Sequence, residues 1–316
     1  MRLTRLQAVR VAAGAATAPW WLDAARAQSS MTIRAAMIPI EPASSIYYAA
    51  DNGFFTKAGL DVQIAQNPST PALAAAVASG TYDIAYAPIS TLAVAHSRGL
   101  PFVAIAPGIM TQPGEIAGAI MLPVNSPIKT AKDFNGKTFG CAGLGTIAEY
   151  QPRAWIDKYG GDSTTVKFIE IPFPETIAAL NAGRIDASYL VEPFITIAIK
   201  SGTVRLLTTG DDAIAPRFLS TAWYATSQWA SAHPDLVARF TAAMLEAARW
   251  ANANQDKVVP ILSKYLRADP VITAAAHRAV FAEHLVPADM QPWINVTAKY
   301  AKFPAFPATD LIYVPK

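Results

Sequence analysis

PALAAAVASGTYDIAY, residues 71–86, and PETIAALNAGRIDASY, residues 174–189, carry one pattern written twice. Pro71, Ala75, Ala76, Gly80, Asp83 and Tyr86 stand opposite Pro174, Ala178, Ala179, Gly183, Asp186 and Tyr189, at a constant offset of 103 residues. The offset still holds where Gly99 meets Gly202, just ahead of another apolar run. Each copy predicts the same local structure. A Pro opens an Ala/Leu helix at the first turn, where its missing N–H costs nothing, and a Gly closes it. A short strand follows, Asp83 to Ala87 in one copy and Asp186 to Val191 in the other. A prolyl turn, a second helix, a closing Gly and a further strand come next, Phe102 to Ala106 and Val204 to Thr208. Upstream, Asp61 to Gln66 and Val166 to Ile171 add one strand to each copy.

Strands alternating with helices of this length mean βαβ units, and the strands are apolar enough to be buried on both faces. The expected fold is therefore α/β, with two lobes of mostly parallel sheet flanked by helices. Four strand-to-helix corners fall at equivalent places: 41–47 and 143–146, then 88–91 and 192–194. In open parallel sheets ligands sit beyond the carboxyl ends of the strands, so all four corners are expected to face one cleft. The last third reads as a strand, Ser220 to Thr226, followed by helices over 233–252, 269–284 and 289–302.

The corner FGCAGLGTIAEYQP, residues 139–152, carries the most chemistry. GLGTIA satisfies G-x-G-x-x-A between a strand and a helix, the dinucleotide fingerprint, with Glu170 placed as a ribose acid. An NAD-dependent oxidoreductase using Gly143 and Gly145 is one reading. Against it, Pro152 is expected to interrupt the helix early. The other reading uses the same backbone: two glycines clear steric bulk, and free N–H groups with a helix dipole behind them attract an anion or a polar oxygen. Thr146 adds a hydroxyl, or caps its own helix.

The chain has 316 residues, 52% hydrophobic and 16% charged, enough for one large or two medium cores. Residues 1–27 read as a secretory signal peptide: Arg2, Arg5 and Arg10, then an apolar run to Leu22, then Ala25-Arg26-Ala27 as a small-x-small cleavage site. Removing them takes away four Arg and one Asp and leaves the remainder formally neutral, so the formal +3 of the whole chain gives no support for nucleic-acid binding. Export predicts a periplasmic protein. The single Cys141 excludes an internal disulfide and reads as a small buried residue. The four histidines show no metal-ligand spacing, and no G-x-S-x-G elbow is present.

GLDVQI at 59–64, the Ala-rich phrase at 71–86, GKTFG at 136–140 and AGRIDASYLVEPF at 182–194 resemble periplasmic substrate-binding proteins of ABC importers, of the nitrate/sulfonate/taurine type related to thiamine-precursor binders. The resemblance spans about residues 31–303. It implies a type II periplasmic-binding fold whose lobes close on a small molecule, a monomer without cofactor that delivers its ligand to an inner-membrane permease and has no catalytic activity. It implies residues 28–112 and 216–316 as lobe 1, 113–215 as lobe 2, crossings near Pro107–Gly118 and Gly210–Thr221, and C-terminal helices packed on lobe 1. The nearest enzymes on this fold are pyrimidine synthases, a group that uses a cysteine cluster this chain lacks.

Carried over corner by corner, the resemblance marks Ser44, Ser45 and Tyr47, then Ser90 and Thr91, then Thr146 with Gly143 and Gly145, then Glu192, as ligand-facing. Asn67 after the second strand, and Trp223 and Tyr224 on the return strand, are further candidates. No Arg or Lys falls within the corners, and Glu192 disfavours a bare inorganic anion. The expected ligand is a small organic molecule: a carboxylate, a sulfonate, a zwitterion, or a ring stacked on Tyr47 or Trp223.

Overall fold

The computed structural model describes residues 31–315; the signal peptide read over 1–27 lies outside them. The first lobe opens with β1 (Met31–Met37), α1 (Ser45–Asp51), α2 (Phe54–Lys57), β2 (Leu60–Gln66), α3 (Thr70–Ala78), β3 (Ile84–Pro88), α4 (Ile89–Ser97) and β4 (Phe102–Pro107). A two-residue strand, β5 (Met110–Thr111), lies on the way across. The second lobe holds β6 (Ala119–Pro123), β7 (Thr138–Cys141), α5 (Ile147–Lys158), β8 (Lys167–Glu170), α6 (Phe173–Asn181), β9 (Ala187–Leu190), α7 (Phe194–Lys200) and β10 (Val204–Thr208). The chain returns through β11 (Phe218–Leu219) into β12 (Thr221–Thr226) and ends in α8 (Ser227–Ala232), α9 (Pro234–Ala253), α10 (Val258–Leu266), α11 (Pro270–Ala275) and α12 (Pro287–Ala301).

The two sheets have one topology. Their orders are β2-β1-β3-β12-β4 and β8-β7-β9-β6-β10. In each, the first three strands are parallel. The fourth strand runs antiparallel to both of its neighbours. It is the crossing strand: β6 has just left the first lobe, and β12 has just come back to it. Direction is therefore set by which lobe a strand arrives from. β5 and β11 pair antiparallel, so the two crossings are tied to each other.

The repeat has a structural cause. Asp83 accepts from the backbone N–H of Arg34 at 2.8 Å, and Asp186 accepts from the backbone N–H of Thr138 at 2.8 Å. The return bonds, from the N–H of each Asp to the carbonyl of Arg34 or Thr138, are 2.9 and 2.8 Å. One carboxylate per lobe thus pins the start of the third strand to the first. Gly80 and Gly183, the residues that close the preceding helices, have φ of +74° and +66°, a conformation only glycine adopts without strain.

The core of the first lobe is aromatic. Trp223 packs against Tyr86 and Phe240, Tyr224 against Phe102, and Trp293 against Phe218. Trp223, Tyr224 and Trp293 are all at most 1% exposed. α9 and α12 supply Phe240 and Trp293, so the C-terminal helices complete this lobe.

Two expectations need correcting. The helix expected over 269–284 stops at Ala275. Ala276 turns extended, and the chain that follows bonds to the crossing instead: Met110 N–H to Val280 O at 2.9 Å, Ala282 N–H to Gly108 O at 2.8 Å. Tertiary hydrogen bonds outweigh the helix propensity of AAAHRAV. Conversely, α5 runs through Pro152 without stopping. A single proline deletes one ladder bond, to Ala148 O, while Ala148, Tyr150, Gln151, Ala154 and Ile156 remain buried and hold the helix down.

Candidate ligand-binding site

Between the two sheets lies a cavity with about 690 Å³ of empty space, counting its open mouth. Ile38, Ile40, Tyr86, Ile109 and Thr221 line it from the first lobe; Gly143, Thr146, Phe173, Tyr189 and Val191 line it from the second. Among the described residues no charged side chain lines it, and most of the wall is aliphatic or aromatic. The polar groups are hydroxyls, and β3 and β9 place the main pair, Tyr86 and Tyr189, at repeat-equivalent positions.

Most of these hydroxyl hydrogens are already spent. Tyr86 Oη lies 2.8 Å from the carbonyl of Pro42 and 2.9 Å from Thr221 Oγ1, and a phenol has one hydrogen. Thr221 Oγ1 also accepts from the N–H of Ile109 at 2.8 Å. Gln151 fixes the other tyrosine. Its Nε2 faces the carbonyl of Thr209 at 2.7 Å and Asp211 Oδ1 at 2.8 Å, both acceptors, so its Oε1 must face Tyr189, whose hydroxyl donates to it at 3.2 Å. Thr146 donates to Gly143 O at 2.7 Å. What these groups turn toward the cavity is lone pairs. Burial holds both tyrosines well above the ordinary phenol pKa, so they stay neutral. Asp211, behind Gln151, is pushed up to about 6 by burial.

The glycine corner is also occupied from within. Gly145 N–H donates to Glu149 Oε2 at 2.7 Å. The other oxygen of Glu149 accepts from Arg153 Nε at 2.8 Å, and the Arg153 guanidinium lies 4.1 Å from the centre of the Phe168 ring. A carboxylate thus fills the place a pyrophosphate would need, and the nearest cation is neutralised by it. The dinucleotide reading does not fit this geometry. Among the described residues no group of three or more His, Cys, Asp or Glu is placed to hold a metal ion.

The model of the NMT1/THI5-like family matches residues 43–258, two thirds of the chain. This protein belongs to that family. The taurine-binding periplasmic protein of Escherichia coli is 26% identical over 66% of this chain and 62% of its own length. The formylaminopyrimidine-binding protein of Halalkalibacterium halodurans is 24% identical over 69% and 64%. The matched region thus spans somewhat under two thirds of these relatives. The zinc-bound ligand-binding component of an ABC-type import system from Staphylococcus aureus superposes with a TM-score of 0.77 at 18% identity, covering 90% of this chain and 97% of that one. At that identity the likeness shows the fold: two lobes, as in periplasmic binding proteins.

In this family member the residues marked by sequence divide into three groups. Gly143 and Thr146 line the cavity. Thr91 and Gly145 lie beside it, with Thr146, on an adjoining groove. The others are engaged in packing. Ser44 donates to Glu41 O at 2.5 Å and bonds Tyr48 Oη at 2.9 Å. Ser45 accepts from the Trp223 indole at 3.4 Å. Tyr47 stacks on Tyr265, ring centres 4.3 Å apart, and accepts from Gln66 at 2.5 Å; burial pushes its pKa to about 12. Asn67 accepts from Ser69 N–H at 2.9 Å, a turn ahead of α3. Ser90 is fully buried, and its hydroxyl has no hydrogen-bond partner among the described residues. Trp223 and Tyr224 lie in the core, on successive positions of β12. Glu192 faces His277 rather than the cavity.

Sequence reasoning missed Tyr86, Tyr189, Thr70 and Thr221 as wall residues. A signal existed for the tyrosines: both close the duplicated phrase, at positions buried strands do not need to fill with a phenol. Nothing in the local sequence marks Thr70 or Thr221.

Proposed function

We propose that this protein is an exported, monomeric solute receptor that captures a small neutral organic molecule bearing N–H donors, of the aminopyrimidine kind, and presents it to an ABC permease in the inner membrane. Residues 31–112 with 216–316 move as one lobe and 113–215 as the other, closing about the paired crossings. Gly143, Thr146, Tyr86, Tyr189 and Thr221 contact the ligand. The protein has no catalytic role in this reading, and its relatives are named as binding proteins.

One observation carries the choice of ligand: an uncharged, mostly apolar cavity in which the hydroxyls of Tyr86, Tyr189, Thr146 and Thr221 offer lone pairs, with Thr70 adding one hydroxyl that can donate or accept. A sulfonate or nitrate needs convergent donors or a cation to replace its water, and an unsatisfied buried anion costs several kcal/mol. A ring with exocyclic N–H groups instead satisfies the acceptors and buries its faces against Ile38, Ile109 and Phe173. A thermal-shift screen of aminopyrimidines, amides, taurine, alkanesulfonates and nitrate tests the reading. A binder at a hundredfold excess over its Kd adds about 2.7 kcal/mol. Stabilisation by taurine or nitrate, and none by the ring compounds, overturns the ligand class.

A further inference from the structure

The wall hydroxyls can be assigned hydrogen by hydrogen. The carbonyl of Pro42 only accepts, so Tyr86 donates to it, and Thr221, 2.9 Å from Tyr86 Oη, donates to Tyr86 in turn. Tyr189 donates to Gln151 and Thr146 to Gly143. These four hydroxyls have no hydrogen left for a ligand.

Ser220, the wall residue next to Thr221, differs. Its backbone is committed: its N–H donates to Ile109 O at 2.9 Å, and its carbonyl accepts from Ile89 N–H at 2.9 Å. Its Oγ lies 2.6 Å from Thr111 Oγ1, and either oxygen could donate. Two hydroxyls in contact own two hydrogens and share one bond, so one hydrogen is left over. Neither oxygen has a further acceptor among the described residues. Thr111 is 1% exposed and is not part of the cavity wall, so a spare hydrogen there would stay unpaired, a state buried hydroxyls rarely keep. Ser220, 3% exposed, is on the wall. Thr111 therefore donates to Ser220, and the spare hydrogen belongs to Ser220. Thr111 lies on β5 and Ser220 follows β11, so this donor is held by both crossings at once.

We propose that Ser220 is the specificity-determining donor of the cavity: it donates to a ring nitrogen of the ligand, while Thr221 and the tyrosines accept from the neighbouring N–H. The inference rests on the neutral-ring reading and adds to it the atom that must be present. A ring with N–H groups alone satisfies the acceptors and leaves Ser220 unpaired. A ring whose edge reads N–C=N, an exocyclic N–H beside a ring nitrogen, satisfies both, which separates aminopyrimidines from anilines of the same shape.

The test is isothermal titration of residues 28–316 with 4-amino-2-methylpyrimidine and with 3-methylaniline, its counterpart without ring nitrogens, at a pH where both are neutral. The readout is the ratio of the two affinities. Ser220→Ala should weaken the pyrimidine about fivefold, the worth of one neutral hydrogen bond, and leave 3-methylaniline unchanged. Thr111→Val breaks the same bond between the crossings but leaves Ser220 its hydrogen. It should lower Tm as much as Ser220→Ala does and keep the ratio within about twofold of wild type. Equal weakening of both probes by Ser220→Ala would reduce Ser220 to a structural residue. A ratio lost as fully in Thr111→Val would assign the effect to the bond between the crossings. Either result overturns this inference and leaves the neutral-ring reading standing, whereas silence of both probes on the wild-type protein overturns the two together.

Discussion

His277 donates its backbone N–H and its Nδ1–H to the same oxygen of Glu192, at 3.0 and 2.8 Å. Glu192 lies two residues beyond β9 in the second lobe and is 1% exposed; His277 belongs to the segment after α11 that pairs with the first crossing. The same carboxylate accepts from the N–H and hydroxyl of Thr196, at 3.1 and 2.9 Å, and the Glu192 carbonyl accepts from Glu41 N–H at 3.1 Å. The two lobes are thus latched by one buried, fully bonded acid. His277→Ala removes the ring bond. We expect a larger radius of gyration in small-angle scattering without ligand, and a ligand affinity lower by roughly tenfold, the worth of one charge-assisted bond of about 1.5 kcal/mol. An unchanged scattering curve would show that this contact does not hold the two lobes together.

Glu41 sits beside this latch, and burial pushes its pKa up to about 7, against the N–H of Ala279 and the charge of Arg278, which pull it down. A raised carboxylate pKa means that the folded state binds the proton more tightly than the unfolded one. The stabilisation is full below the unfolded value near 4.5 and is lost as pH rises through about 7. Burying the ionised form costs about 3 kcal/mol at most, at 1.36 kcal/mol per pKa unit. Asp211, raised to about 6 by burial, acts in the same direction. Thermal melts should therefore show Tm rising from pH 8 to pH 5.5, and Glu41→Gln should flatten that rise and raise Tm at pH 8. A Tm that falls over the same interval would contradict the assignment.

Tyr189→Phe tests whether the relay behind the cavity matters. It removes an acceptor from the wall and leaves Gln151 Oε1 without a donor at a position that is fully buried. The expected cost is about 1–2 kcal/mol in stability, with ligand affinity down about tenfold. Gln151→Leu should cost stability more than affinity, because it touches Asp211 and Thr209 rather than the ligand.

The crossings are tight at two glycines. A Cβ on Gly108 would stand 2.3 Å from Thr221 Oγ1 and 2.9 Å from the Thr221 carbonyl; on Gly118 it would stand 2.1 Å from Tyr189 Oη. Gly108→Ala meets backbone, which cannot swing aside, so it should destabilise the fold by about 1–3 kcal/mol, measured by urea unfolding. A neutral substitution would mean that the crossings are looser than they are drawn.

The duplicated phrase made the two sheets legible because strand order follows from where Pro, Gly and Asp fall along the chain. Asp83 and Asp186 do the same job in both lobes, so a shared residue reported a shared bond. The corners were less legible, because which way a side chain points depends on helix register and on partners far away in sequence. Ser44, Ser45 and Tyr47 lie where a corner was expected, yet Tyr48, Trp223 and Tyr265 claim them. The chain around His277 could not be read as extended, since the carboxylates that hold it, Glu192 and Glu41, lie 85 and 238 residues from their bonding partners His277 and Ala279.

Ligand choice by this protein turns on whether the cavity between the lobes is an uncharged site, lined mainly by acceptors, for a neutral ring. Isothermal titration of residues 28–316 with 4-amino-2-methylpyrimidine and, separately, with taurine tests this most directly. We expect saturable binding of the pyrimidine, about tenfold weaker in Tyr189→Phe, and no heat of binding with taurine. Tight binding of taurine together with silence from the pyrimidine would contradict it.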